Sequence, residues 1–405
     1  MSYVIKAVLS SAAHPEHGEV TIPFPIPDQE YGQTLELLAG LELGDALEQD
    51  CRVEEQDSWY DVLNALEGTA VNVDELDYLA KRLDSFCDDE AEQFQAMAHK
   101  LGFKDVKDFI NLTFCCQRAT VISNFSDLDA IGRSHFMNLH GGSAKTEELE
   151  NLDGIETALL LIDGGGETVT PYGVVYDNGM KLEQVYDGRH FPAYLYDVHP
   201  LILSVSSKQK PGDKPDYLYL PTSSQKMERT LRRAGVTDKA DLRLQLEFYE
   251  LPEQVAFALD LDHLERADLS EWNQMCQAVK ALSAPEQKKL EAAAMLAMPH
   301  GPEEVRRLAE NLDQFGFVPG IKTPEEYGRY LIRESGRIQY DENLEGFYDF
   351  QGYGLQQMEK EPGQFNTLGY IAYHGTLMLD ELLREDPAKQ HQGEQGPQMG
   401  GLSSC

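Results

Sequence analysis

The densest chemistry in this sequence is carboxylate. Asp84, Asp88, Asp89, Glu90 and Glu92 fall close together, with Asp74 and Asp77 before them, Asp105 and Asp108 after them, and Glu147, Glu148 and Glu150 further on. Carboxylates this numerous single out no acid–base pair, and no nucleophile–base arrangement stands out in the chain, so a non-enzymatic protein is expected. Their collective chemistry is a negative field. Carboxylates three or four positions apart on a helix are separated by roughly 4.5–6 Å along its axis. Each acid also has a local role to weigh against this. Asp88–Glu92 sits at an expected helix start, where acids complement the macrodipole, and Asp105 and Asp127 are placed to cap helices.

The remaining chemistry-bearing residues give weaker patterns. Gly164-Gly165-Gly166 follows an apolar run but lacks both the dinucleotide spacing and the Lys-Ser/Thr of a phosphate loop, so it reads as a turn. His14 and His17 are close enough to share a metal, yet no Cys or carboxylate is read as completing a set, and a surface loop is the expectation. Cys115-Cys116 ends an apolar helix and reads as core. Arg133 and Arg329 each suit a structural ion pair. No cofactor or metal is expected.

The chain has 405 residues with 70 acidic and 34 basic side chains, a formal net charge of −36. Residues 1–196 hold 36 acids and 12 bases, so the asymmetry lies in the first half. Such a surface repels nucleic acid and attracts a basic protein surface, speeding encounter with it. An apolar fraction of 41% is enough for ordered cores, which separates the chain from acidic disordered sequences. No apolar run approaches 18 residues, the start lacks the apolar segment of a signal peptide, and the six Cys show no disulfide or zinc spacing. A soluble cytoplasmic protein with reduced thiols is expected, with no membrane partner.

What positions the carboxylates is written twice. Val71–Met137 lies over Ala267–Ile332 at a displacement of 196: Leu83 over Val279, Phe94 over Leu290, Ala96 and Ala98 over Ala292 and Ala294, and Ile131-Gly132-Arg133 over Tyr327-Gly328-Arg329. Pro25, Gln29 and Thr34-Leu35 match Pro221, Gln225 and Thr230-Leu231; Asp153, Gly173 and Gly179 match Asp349, Gly369 and Gly375. A constant displacement over so many positions implies two tandem modules, 1–196 and 197–385, with 386–405 as a flexible tail rich in Gln and Gly.

Within a module, Val4–Leu9, Val20–Phe24 and Cys51–Glu55 read as short strands, Pro23 confining the second to an edge. Asp28 caps an expected helix from Gln29 to about Ala39 with Leu35, Leu37 and Leu38 inward. Leu76, Leu79, Leu83 and Phe86 recur at helical spacing; further helices span about Asp89–Leu101, burying Phe94, Met97, Ala98 and Leu101, and Asp105–Phe114, burying Val106, Phe109 and Ile110. Asp127 caps a fourth that buries Leu128, Ile131 and Phe136, and Thr323-Pro324-Glu325-Glu326 caps its counterpart. Short connections favour an antiparallel bundle. Ala158–Ile162 and Tyr172–Tyr176 read as strands, and Asp177-Asn178-Gly179 as a tight turn into a strand over Lys181–Tyr186, with His374-Gly375 at the equivalent turn. Gly188–Pro200 reads as the linker.

Several stretches resemble the ArdA antirestriction proteins of conjugative elements. These are Glu247-Phe248-Tyr249-Glu250-Leu251-Pro252, Leu308-Ala309-Glu310-Asn311-Leu312, and the signature region Tyr348-Asp349-Phe350-Gln351-Gly352-Tyr353-Gly354. His17–Pro25 is similar to that family's opening strand. Gln351 stands where the family favours Glu and Leu355 where it favours Arg; Ile155 and Leu159 take those places in the first module. The resemblance implies an acidic mimic of bent DNA that occupies the DNA groove of type I restriction–modification enzymes, with Tyr348, Asp349, Tyr353 and Gly354 in its signature. The fold expected is α+β: two modules, each a small β-containing domain, a helical bundle and a closing β-hairpin. The tandem modules would form a pseudo-dimer within one chain, or the chain a homodimer. The competing function is an acidic scaffold or regulatory module that binds a basic protein without imitating DNA.

Overall fold

The computed structural model describes residues 3–336 and 339–384, so the expected tail, 386–405, lies outside the described residues. Ile5–Ser11 (β1) pairs antiparallel with Glu19–Phe24 (β2) on one side and Cys51–Ser58 (β3) on the other, and Ala70–Val71 (β4) extends the sheet in the order β2–β1–β3–β4. Pro23 therefore sits on an edge strand, where its missing N–H leaves no partner unsatisfied. Asp28–Ala39 (α1) buries Tyr31 and Leu38, while Leu37 is 55% exposed against expectation. Asp28 is the first residue of the helix; Pro27 occupies the cap position and makes no side-chain cap.

Three helices follow: Val73–Asp84 (α2), Asp88–Leu101 (α3) and Val106–Leu112 (α4). Asn72 accepts from the Asp74 N–H at 2.9 Å, and Glu75 accepts from the Asn72 N–H at 3.2 Å, which satisfies donors left open by the first turn of α2. Leu76, Leu79 and Leu83 share one core with Phe94, Met97, Val106, Phe109, Ile110 and the sheet residues Ile5, Leu9 and Phe24. Leu101, expected inside, is exposed. Cys115 and Cys116 are buried, as expected.

Thr120–Ile122 (β5) leads to Leu128–Leu139 (α5), Thr146–Glu150 (α6) and Gly154–Gly164 (α7), then Thr168–Thr170 (β6) and Gly173–Tyr176 (β7), with sheet order β5–β7–β6. Here the structure corrects the sequence reading. Ala158–Ile162 is helical: Asp153 caps the segment, accepting from the Glu156 N–H at 2.9 Å, and Ala and Leu are strong helix formers. A short apolar run carries no periodicity that separates strand from helix. The Asp177-Asn178-Gly179 turn forms, with positive φ at Asn178 and Gly179, but residues 181–186 are not a strand. β5 and β6 already occupy both edges of β7, and Asn111 takes the place of a strand partner, exchanging hydrogen bonds of 2.8 and 3.0 Å with the Tyr186 backbone. The closing hairpin is β6–β7 instead. In α5, Leu128, Ile131 and Phe136 are only partly buried; the buried positions are Gly132 and Asn138.

The expected linker is irregular in its backbone but is not free. Phe191 stacks between Tyr78 and Tyr186, both at 4.9 Å, and Tyr78 donates to the Pro192 carbonyl at 2.9 Å. Leu201–Ser207 (β8), Asp216–Leu220 (β9) and Leu242–Tyr249 (β10) form a sheet in the order β10–β8–β9, with Ser224–Arg233 (α8) after β9. The chain divides into two compact units. One runs up to residue 198 and includes 204–218 and 222–243; the other takes 199–203, 219–221 and 244 onward.

The second unit holds Glu253–Ala258 (α9), Leu269–Lys280 (α10), Ala284–Ala297 (α11), Pro302–Glu310 (α12), Phe315–Pro319 (β11), Pro324–Arg333 (α13), Phe350–Lys360 (α14), Gly363–Phe365 (β12), Gly369–Tyr373 (β13) and Leu379–Arg384 (α15). Trp272 is buried and donates from its indole to the Leu264 carbonyl at 3.0 Å. Thr323 caps α13 as expected, accepting from the Glu326 N–H at 3.2 Å. The sheet order is β11–β13–β12. No helix among the described residues is long and apolar enough to cross a membrane.

Glycine sets two helix crossings. A Cβ at Gly132 of α5 would fall on the Gly154 carbonyl of α7, and one at Gly328 of α13 would fall on the Phe350 carbonyl of α14. Arg133 and Arg329, beside these crossings, form ion pairs as expected. Arg133 pairs with Asp129 at 2.7 Å; Arg329 pairs with Glu325 at 2.9 Å and Glu345 at 3.0 Å. Backbone is a rigid neighbour, so Gly132→Ala and Gly328→Ala force the helices apart. Each is expected to lower stability by about 1–3 kcal/mol or more in denaturant titration, whereas Gly164→Ala, with open space around it, stays near wild type.

Candidate acidic face and signature region

The expected carboxylate array divides by burial. Asp74 and Asp77 leave the surface, which corrects the sequence reading. Asp74 is 8% exposed and accepts from Arg229 at 2.9 Å, from Arg233 at 2.7 Å and from the Tyr31 hydroxyl. Arg233 also binds Asp216 at 2.7 Å, and Arg229 donates to the Gly44 and Asp45 carbonyls. Asp77 accepts from the Ile26 N–H at 2.7 Å and pairs with Lys81 at 2.8 Å. The α2 sequence alone could not reveal this, because the arginines arrive from α8, about 155 residues later.

Asp84, Asp88, Asp89, Glu90 and Glu92 remain at the surface, with Glu90 half-buried. Asp88, Asp89 and Glu90 occupy the first turn of α3, and Glu90 accepts from the Cys87 N–H at 3.1 Å and from Gln117 at 3.3 Å. Asp88 and Asp89 stand four and three positions before Glu92, so all three face the same way. Among the described residues none of the five carboxylates has an ion-pair partner. The nearby bases are engaged elsewhere. Lys81 holds Asp77, Arg82 donates to the Thr113 carbonyl at 2.9 Å, Lys100 binds Asp177 at 2.8 Å, and Lys107 donates to the Asp187 carbonyl at 3.0 Å.

At Glu92, Asp108 and Tyr60 burial acts first and neighbouring carboxylates second. Burial, and then Asp89 and Asp88, hold the Glu92 carboxyl above its ordinary value. Burial and then Asp105 raise Asp108, against an opposing pull from Lys107. The Tyr60 hydroxyl is pushed up to about 12 by burial, then by Asp84, Cys116, Glu90 and Asp88. Like charges at this spacing cost about 0.2–0.5 kcal/mol per pair, a cost that the positive end of α3 partly offsets. Asp105 is exposed and caps α4, accepting from the Lys107 N–H at 2.9 Å. Glu147, Glu148 and Glu150 are exposed on α6, and make no hydrogen bond or ion pair with α3; Glu148 accepts from the Lys145 N–H at 3.3 Å.

The signature region forms part of the second unit's helix crossing. Asp349 caps α14, accepting from the Gly352 N–H at 2.8 Å. Gly354 is buried where a Cβ would meet the Pro324 carbonyl, and Tyr353 packs in the cluster of Tyr327, Leu331 and Tyr370. Tyr348 lies 5.8 Å from Phe350, ring to ring, and its hydroxyl accepts from the Asp341 N–H at 3.1 Å. Gln351 and Leu355 are exposed on α14, as are Ile155 and Leu159 on α7, so the departures alter surface and leave the crossings intact.

A cavity of about 500 Å³ in the first unit is lined by Glu75, Tyr186, Arg189, Phe191 and Arg233 among others. Its charged groups are committed: Glu75 accepts from Asn72, Gln49 and Tyr186, and Arg233 from Asp74 to Asp216 is fully bonded. His14 and His17 are also closer to carboxylates than the sequence reading allowed, since Glu16 and Glu42 both stand beside them. Compared with protein families and with curated proteins, the chain matches none.

Two acids of the expected array should respond oppositely to change. Burial pushes the Asp74 carboxyl up, but Arg233 and Arg229 outweigh it and hold it below the ordinary range. Its contribution is therefore complete above the unfolded value of about 3.9 and lost as pH falls through the lower folded value. Asp74→Ala strands two buried guanidiniums and is expected to cost about 3–5 kcal/mol in denaturant titration. Glu92 has the reverse sign. Its penalty is present at neutral pH and is relieved as pH falls through its raised folded value, so Glu92→Gln is expected to raise the melting temperature at pH 7 and to lose that advantage in acid.

Proposed function

We propose that the chain is a non-enzymatic DNA mimic whose first module presents the face of Asp84, Asp88, Asp89, Glu90 and Glu92, with Asp105 and Asp108, to the basic groove of a DNA-binding enzyme. The carrying observation is that the first five of these carboxylates lack ion-pair partners although bases lie nearby. A face kept for solubility gains nothing by leaving neighbouring charges to repel each other. A face meant for a basic groove gains both encounter rate and counterion release from them. By resemblance to the ArdA proteins, the enzyme is a type I restriction–modification enzyme, the outcome is antirestriction, and the setting is the cytoplasm of a cell receiving a mobile element.

The same reading takes the chain as two copies of one module, 1–196 and 197–385. The order of elements supports it. β1, α2, α3, α4, α5, α7 and β7 start at Ile5, Val73, Asp88, Val106, Leu128, Gly154 and Gly173; β8, α10, α11, α12, α13, α14 and β13 start at Leu201, Leu269, Ala284, Pro302, Pro324, Phe350 and Gly369. Each of the second seven begins 196 positions after its counterpart. The charge is not duplicated. Lys280, Ala284, Pro285 and Lys288 stand where the first copy has Asp84, Asp88, Asp89 and Glu92. Several carboxylates of the second unit pair with arginine, as in Glu303–Arg307 at 2.6 Å and Glu310–Arg306 at 2.8 Å. The first copy thus supplies the mimic and the second completes a pseudo-dimer.

The test is competition for a type I restriction–modification enzyme between the full chain and labelled duplex DNA, at low and high salt. Displacement that weakens with salt, and falls about tenfold or more on neutralising Asp84, Asp88, Asp89 and Glu92 together, is the expected outcome. The corresponding changes in the second copy, Lys280→Ala, Pro285→Ala and Lys288→Ala together (residue 284 is already Ala), should leave displacement unchanged. Absence of displacement at any excess overturns the mimicry of that enzyme's substrate and favours an acidic module that binds another basic protein without imitating DNA.

A further inference from the structure

We propose that His14, Glu16, His17 and Glu42 form a binding site for one divalent transition-metal cation, independent of the acidic face. The site is built by local geometry. Pro15–His17 is a single turn of 3-10 helix with His14 at its cap position. In that helix, side chains three apart nearly eclipse, and the two imidazoles accordingly stack with centroids 5.0 Å apart and planes 17° from parallel. His14 is anchored by its own N–H, which donates to Ser11 Oγ at 3.0 Å. Glu16 Oε1 lies 3.3 Å from His14 Nδ1. One donor atom from each of His14, Glu16 and His17 falls within 4.8 Å of the others.

The fourth member comes from a distant turn. Glu42 lies just beyond α1, in the left-handed region at φ 58°, where Leu43 N–H closes on the Leu38 carbonyl at 3.0 Å. Glycine is the usual occupant of that helix-terminating position because a side chain costs energy there. Here a glutamate occupies it, and its Oε2 lies 4.0 Å from His14 Nε2 and 3.9 Å from His17 Nδ1. The residue disfavoured by the backbone is the one that brings a carboxylate to both rings.

The donor set selects its ligand. Two neutral imidazoles and two carboxylates carry a charge of −2, which one dication balances. Nitrogen and oxygen donors together suit Zn²⁺, Co²⁺, Ni²⁺ or Cu²⁺, whereas Mg²⁺ and Ca²⁺ prefer oxygen throughout. Metal–donor bonds near 2.0–2.2 Å put donors roughly 3.3 Å apart around a tetrahedral ion. The four side chains are all at least a third exposed, so small rotations close the present separations. Bound metal would tie the connection between β1 and β2 to the end of α1. The charged groups facing the imidazoles are Glu16 and Glu42, and loading requires neutral rings, so the metal competes with protons for the site.

Chelator-stripped full chain would be titrated with Zn²⁺ by calorimetry and with Co²⁺ by visible absorption, in millimolar Mg²⁺ to saturate non-specific carboxylates. The expected result is an ion whose binding weakens by about tenfold or more in His14→Ala and in His17→Ala, but not in His140→Ala. Glu42→Gly adds a discriminating readout. It should raise the melting temperature of the metal-free chain, by relieving the backbone, while weakening metal binding. Binding that is the same in wild type, His14→Ala and His17→Ala, or no binding at millimolar metal, would overturn the proposal and leave imidazole–carboxylate contacts alone.

Discussion

The first unit depends on one buried carboxylate. Asp74 collects Arg229 and Arg233 from α8 and the Tyr31 hydroxyl from α1, while Arg233 continues to Asp216. These groups are all nearly out of water, so their desolvation is repaid only while every partner is present. The arrangement explains why residues 204–218 and 222–243 pack with the first unit. It also explains the segment that precedes β8. Phe191 lies flat on Tyr186 and beneath the Arg233 guanidinium, which sits 5.1 Å from the ring centre. A single acid thereby ties together α1, α2, α8 and the segment that precedes β8.

The surface follows the opposite logic. On α3 the carboxylates stay unpaired, and burial, then Asp89 and Asp88, raise Glu92. The protein thus holds two populations of acid with opposite energetics. On α2, Asp74 is neutralised by Arg229 and Arg233, brought from far along the chain, and Asp77 by Lys81 one turn on. Those on α3 are left to project a field, at some expense in stability. Bases are few in residues 1–196, 12 against 36 acids, and the fold commits several of them to interior or backbone partners. That allocation, more than the acid count, is what leaves a bare face.

Glycine gives the two units their common mechanical feature. Gly132 on Gly154, and Gly328 on Phe350, bring helix backbones into contact where any side chain would intrude. Arg133 and Arg329, next in sequence to those glycines, each pair with an acid one turn earlier on their own helix and also reach the segment before the second helix, Arg133 at the Leu149 carbonyl and Arg329 at Glu345. The residues of the signature region serve this packing: Asp349 as cap, Gly354 as close contact and Tyr353 as filler. The pattern that resembles a functional signature therefore has a structural role in this chain that stands on its own.

Periodicity determined the helices α2, α3 and α4, since their apolar spacing is itself the burial pattern; Leu76, Leu79, Leu83 and Phe94 are fully buried where it placed them. Turn chemistry determined Asp177–Gly179, and Pro23 announced an edge strand, because backbone constraints of this kind act within a few residues. The strand expected over Ala158–Ile162 failed because a short apolar run has no period to read, and the one over Lys181–Tyr186 because both edges of β7 were already taken. The sequence by itself also determined the excess of acid and where it is richest. Only the tertiary structure decided which acids face water. Asp74 and Asp89 look alike along the chain; what separates them is the arrival of Arg229 and Arg233, and a partner more than 150 residues away leaves no mark on local pattern. The same holds for Glu42 beside His14 and His17, which a helix end and a strand connection bring together from 25 residues apart.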